Sequence, residues 1–173
     1  MLSFRRVDFE KDVKRLHGWH HQPHVIPFWN QNFTFEKYAD FLTKLLDDQH
    51  QTLWIGMVHE ESMSYFETYW AKDDVLGKHY DWNEFDQGIH LLIGEPSFLG
   101  KGYAAPFVSK MVEQLFQEER TSRIVTEPDI RNEKMIHIFK KVGFKPYKEL
   151  QLPDKKALMM ICERSDFKKV VES

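Results

Sequence analysis

An apolar run, Ile89–Ile93, a glycine-containing loop, Gly100-Lys101-Gly102-Tyr103-Ala104, and a third segment with Phe107, Val108, Met111, Val112, Leu115 and Phe116 on one face follow in direct succession. The run has the character of a strand buried on both faces. The spacing of the third segment predicts an amphipathic helix. Pro106 fits inside its first turn, where backbone N–H groups have no intrahelical partner. A strand passing through a tight loop into a helix restricts the chain to an α/β architecture. The two glycines let backbone approach a ligand closely, and the helix start aims N–H groups and partial positive charge at it. Such a loop suits an anion, most often a phosphate; a plain tight turn ending the strand is the competing reading. Nucleotide loops of known spacing do not fit, because five residues separate Gly94 from Gly100 and Gly102 stands where a P-loop has Ser or Thr. Ala105 likewise replaces the third glycine of a dinucleotide fingerprint.

The flanking sequence supplies the other elements. Leu2–Val7 reads as a strand, and Asp8 as the N-cap of a helix broken by Pro23 and Pro27. Thr34, then Tyr38, Phe41, Leu42, Leu45 and Leu46, predicts a second amphipathic helix. Thr52–Val58 and Ser64–Ala71 predict a hairpin around His59–Ser62, and Lys72–Asp86 a long irregular loop. Arg123–Glu127 reads as a strand and Asn132–Val142 as a helix stopped by Gly143. Phe144–Leu150 and Ala157–Cys162 are expected as strands around a turn at Pro153–Lys155. The expectation is one α/β domain, residues 1–173, with both parallel and antiparallel pairings.

Composition narrows the class of function. Lys and Arg number 24 against 27 Asp and Glu, so no basic footprint for nucleic acid is present. A single cysteine, Cys162, excludes an internal disulfide and a Cys-based zinc cage. The charged N-terminal stretch lacks a signal-peptide core, and no uncharged run approaches the ~20 residues that span a bilayer, so a cytoplasmic protein without membrane contact is expected. Aromatic residues are 14% of the chain and crowd into Phe28–Phe41 and Tyr65–Phe85, which suits a groove for an elongated ligand.

Beyond the loop, Glu127-Pro128-Asp129-Ile130-Arg131-Asn132 and Phe139-Lys140-Lys141-Val142-Gly143-Phe144 are not expected of a simple turn. With them the chain resembles the GCN5-related N-acetyltransferase (GNAT) family. There a loop of the form Q/R-x-x-G-x-G/A binds the coenzyme A pyrophosphate, and N-x-x-A-x-x-x-Y-x-x-x-G-F follows on the next helix. Leu99–Ala104 is similar to the first and Asn132–Phe144 to the second, with Leu99 in place of Gln or Arg and Phe139 in place of the usual tyrosine. The fold implied is a mixed central sheet of about seven strands flanked by helices. Positions 90–102, Glu127–Asp129, Trp19, Val25–Trp29 and Tyr65–Trp70 resemble more narrowly the siderophore-biosynthesis acyltransferases, where Leu at position 99 is usual. These acylate the side-chain nitrogen of lysine, hydroxylysine or a hydroxylated diamine.

The resemblance implies acetyl-CoA or another acyl-CoA as co-substrate, a small amine or hydroxyamine as acceptor, and a siderophore synthetase as partner. It places His90 and Asp129 in the catalytic cleft, His90 as general base. It places Leu92, Ile93, Gly94, Gly100, Lys101, Gly102, Tyr103, Ala104, Asn132 and Phe139 on the cofactor. Asp129 has a second reading as a helix N-cap, and so has Asn132. Trp29, Glu67, Tyr69, Trp70 and Tyr80 are the candidates for the acceptor groove, although strand alternation makes at least one of Glu67, Tyr69 and Trp70 a core residue. His20, His21 and His24 are not expected to hold a metal, because Pro23 breaks their helical register. An aminoglycoside 6'-type N-acetyltransferase is the first alternative, with Asp73, Asp74, Asp81, Glu84 and Asp86 as an acidic cleft. A non-catalytic acyl-CoA-binding module is the second.

Overall fold

Period-two and period-3.6 patterns place seven strands in one mixed sheet, in the order β1-β2-β3-β4-β5-β7-β6, with helices between them. The computed structural model describes residues 1–172. The chain divides into two compact units, Met1–Glu67 with Leu91–Leu99, and Thr68–His90 with the chain from Gly100 onward.

In the first unit, β1 (Leu2–Arg6) pairs antiparallel with β2 (Gln51–Val58), from Leu2 opposite Val58 to Arg6 opposite Trp54. Asp8 caps α1 (Phe9–Trp19) by accepting from the Lys11 amide at 3.0 Å. Where the sequence suggested only a break, a single turn forms as α2 (Ile26–Trp29), since Pro27 falls where no intrahelical N–H is needed. Thr34 caps α3 (Phe35–Asp47) through the Lys37 amide at 3.3 Å. Between β2 and β3 (Glu61–Trp70) lie only His59 and Glu60, both at positive φ (48° and 74°). That pair gives the reversed twist that two-residue hairpins require. Leu16, Tyr38, Leu42, Ile55 and Tyr65 lead the core of this unit, each side chain contributing roughly 1.5–3 kcal/mol by burial.

In the second unit, β4 (Gln87–Ile93) begins, running parallel to β5 (Arg123–Thr126) with Gln87 opposite Ile124 and Gly88 opposite Val125. β7 (Lys156–Glu163) lies antiparallel to both β5 and β6 (Lys145–Gln151), with a register shift between Pro146 and Lys148. α4 (Ala104–Leu115) follows the glycine loop, and α5 (Glu133–Val142) ends at Gly143, which is left-handed at φ 109°. The segment expected as an irregular loop carries two 3-10 turns, Ala71–Asp73 and Val75–Lys78. At the second turn the Asp74 carboxylate accepts from the Leu76 amide at 3.1 Å, and farther along the buried Asp86 carboxylate accepts from the Tyr80 hydroxyl at 2.8 Å, the Asn83 amide at 3.0 Å and the Arg123 guanidinium at 2.6 Å. A buried charge persists only when paired and hydrogen-bonded in this way.

Candidate active site

The parallel register of β4 and β5 offsets paired residues by 37 positions (Gln87 to Ile124). Continued by two residues, the same offset brings His90 beside Glu127, and the imidazole Nε2 is hydrogen-bonded to Glu127 Oε1. The second Glu127 oxygen accepts from the Tyr69 hydroxyl at 2.5 Å. The Tyr69 ring also lies against the imidazole, with centroids 4.8 Å apart. Glu127 is 4% exposed. Burial alone would raise its pKa, but the His90 imidazole, the Lys155 charge and the Tyr69 hydroxyl outweigh it and hold the carboxyl well below the usual range. Burial first, and then Glu127, push the Tyr69 phenol well above its ordinary value, so it stays a donor. Strands β3, β4 and β5 thus converge a phenol, an imidazole and an anion on one point.

Asp129 is placed otherwise. Its carboxylate accepts from the Arg131 backbone N–H at 2.9 Å and from the guanidinium at 3.0 and 2.8 Å. The Arg131 side chain is the main reason its pKa lies below the ordinary value. Asp129 does not cap α5; Asn132 does, accepting from the Met135 amide at 3.3 Å. The carboxylate on His90 is therefore that of Glu127, which shares a short motif with Asp129. No local signal in the sequence marks it, because the register of β4 and β5 that brings it to His90 is set by the fold.

At the loop, Gly100 and Gly102 adopt φ 71° and 78°, a region that favours glycine, and the space where their Cβ atoms would stand is open. No side chain caps α4, and no acidic residue occupies its first turn. Backbone at the loop and helix start can therefore approach an anion, and Lys101 is exposed beside it. Of the other residues expected on the cofactor, Leu92 belongs to the core of the first unit and the Ile93 carbonyl accepts from His24 Nε2 at 2.6 Å. The Gly94 amide donates to the Met63 carbonyl at 2.8 Å. Tyr103 precedes α4 as its half-buried N-cap residue. Phe139 is buried edge-on against Phe144, with centroids 5.1 Å apart.

Among the acceptor candidates, Glu67 accepts from the Tyr65 hydroxyl at 2.7 Å, and the Trp29 ring lies 5.8 Å from that of Tyr65. Tyr69 is in the core with its hydroxyl on Glu127, and Tyr80 has its hydroxyl on Asp86. Trp70 packs edge-on against Phe85. The three histidines after α1 are engaged apart from one another. His21 Nδ1 bonds the His17 carbonyl and His24 bonds Ile93, while His20 is sealed among Trp29, Tyr38 and Tyr65. Among the described residues, no three of His, Cys, Asp and Glu group as metal ligands do, and no helix is long and apolar enough to cross a membrane.

A family model described as an acetyltransferase (GNAT) domain matches residues 8–152. N(6)-hydroxylysine O-acetyltransferase of Escherichia coli is 34% identical over 168 residues, covering 96% of this chain and 53% of that protein. The chain therefore spans about half the length of that relative. An uncharacterized protein from Bacillus halodurans superposes with a TM-score of 0.95 at 49% identity, over 97% of this chain and 86% of that one. The aminoglycoside acetyltransferase AAC(6')-Ib in complex with coenzyme A superposes with a TM-score of 0.86 at 25% identity, over 96% of each chain.

Proposed function

This chain belongs to the GNAT acetyltransferase domain family, and on that premise we propose that it moves an acyl group from acyl-CoA to the side-chain nitrogen of hydroxylysine or a hydroxylated diamine. The product is a hydroxamate, the iron-chelating unit of a siderophore, and a cytoplasmic siderophore synthetase would consume it. The observation that carries this reading is the imidazole of His90, on the strand that leads toward the open glycine loop, held by the buried carboxylate of Glu127 after β5. The similarity to a relative named for N(6)-hydroxylysine supports the acceptor class.

Acyl-CoA supplies the acyl group as an activated thioester. The loop fits its diphosphate: two glycines at positive φ, open space above them, an uncapped helix start and the exposed Lys101. A hydroxyamine nitrogen is weakly basic and largely neutral near pH 7, so it needs a base only as it forms the new N–C bond. His90 takes that proton. Holding the two reactants side by side supplies most of the acceleration. Glu67 and the ring of Trp29 are assigned to the acceptor's charged end and alkyl chain. The hydroxyls of Tyr69 and Tyr80 are committed elsewhere. Orienting His90 falls to a residue other than Asp129, which leaves Asp129 the role of drawing the acceptor nitrogen into line; its oxygens can accept beyond their bonds to Arg131.

A thiol-release screen tests this, pairing acetyl-, succinyl- and longer acyl-CoA with N6-hydroxylysine, hydroxylated diamines, lysine and kanamycin. Thiol release with a hydroxyamine, and a product giving the ferric hydroxamate colour, is the expected outcome. His90→Ala should lower kcat by about 10²–10⁴-fold while CoA binding persists. Turnover with kanamycin alone would favour the aminoglycoside reading, which rests on the likeness to AAC(6')-Ib. Absence of CoA uptake in calorimetry would remove both.

A further inference from the structure

We propose that Glu127 is a positioning residue, which with Tyr69 forms a relay that fixes the His90 ring and strengthens its hold on a proton. The proposal rests on the reading of His90 as base, and it names what makes that base effective. Each Glu127 oxygen has its own partner from a different strand, Oε1 to the imidazole and Oε2 to the Tyr69 hydroxyl. A carboxylate this buried costs several kcal/mol unless paired, so its place at the end of β5 is not accounted for by packing.

Gly88 supplies an independent observation. A Cβ built there would collide with Cε2, Cζ and the hydroxyl of Tyr69. Only glycine at this point of β4 lets the phenol lie across the strand and reach Glu127, two residues from where His90 departs. The backbone is thus shaped for the phenol–carboxylate contact. Other charged and titratable groups bearing on the carboxylate and the phenol include Lys155, which acts on Glu127, and Asp74 and Tyr80, which act on Tyr69. In effect, the anion favours the protonated imidazole, the phenol moderates the anion, and the bond at Nε2 sets the ring's angle.

The test is an NMR pH titration of the imidazole, with the His90 signal assigned by its loss in His90→Gln; no acceptor is needed. Glu127→Gln keeps the volume and removes the charge. It is expected to move the His90 midpoint about one pH unit or more lower, and to cut kcat in the thiol-release assay about tenfold or more. Tyr69→Phe keeps the ring on the imidazole and frees one carboxylate oxygen, so the midpoint should move in the opposite direction, upward. A carboxylate with a merely structural role would lower Tm and leave the midpoint in place. A folded Glu127→Gln protein with the wild-type midpoint and kcat overturns the proposal. Should that variant not fold, Tyr69→Phe decides, and an unmoved midpoint overturns it. Full turnover by His90→Gln would instead sink the base reading, whatever the titration shows.

Discussion

Two buried polar residues in the first unit illustrate opposite solutions to one problem. Asp12 has no exposed side-chain surface, and its oxygens accept from Arg5 at 2.8 and 2.7 Å, Arg15 at 2.8 Å and the Asp8 amide at 2.8 Å. Burial would raise its pKa; the Arg5 pair leads the groups that bring it below the ordinary value. His20 is 1% exposed and neither ring nitrogen has a hydrogen-bond partner. Burial lowers its pKa to about 4, so it folds neutral. Each unpaired buried group costs roughly 1–3 kcal/mol, and an apolar residue of similar size escapes that cost. His20→Leu is therefore expected to raise stability by about 1–3 kcal/mol at pH 7, read from urea unfolding. At this scale the Asp8 cap was legible, because its carboxylate meets an amide three residues on. Asp12 was not, since its main partner lies in β1 and only folding brings Arg5 to it.

Among the elements, the junction of β4, the glycine loop and α4 carries the proposed diphosphate contact. A side chain at Gly102 must adopt φ 78°, at roughly 1–2 kcal/mol, and fills the open space above the loop. Gly102→Val is thus expected to weaken CoA binding at least about tenfold in calorimetry, beyond the loss in Tm that backbone strain of this size accounts for. This junction was readable because its signals are adjacent in the chain: a buried run, glycines and an apolar stripe. What was not readable is where the segment after β3 closes, on Asp86, whose ion pair is with Arg123, far along the chain.

For the whole molecule, the buried ionisable groups set a direction for acid stability. Asp12, Glu127 and Asp129 all have pKa values below those of the unfolded chain. Their contribution is present above the ordinary values, 3.8 for Asp and 4.5 for Glu, and is lost as pH falls through the lowered ones. His20 acts earlier: between 6.5 and about 4 the unfolded chain takes up a proton that the folded chain refuses. Unfolding midpoints in urea should therefore decline from about pH 6.5 and steepen below pH 4.5. His20→Leu should flatten the first part of that decline and leave the second.

What the sequence alone determined is what lies within a few residues along the chain: helix limits and caps, the hairpin, the glycine loop, the order of strands and helices, and the motif spacing of the family. These are legible because capping, periodicity and turn chemistry act over one to four residues. Only the tertiary structure decided that His90 answers to Glu127 while Asp129 answers to Arg131. Both carboxylates stand in the same short motif, and local chemistry does not separate them. The parallel register of β4 and β5 does, because it aligns residue 90 with residue 127 across an offset of 37.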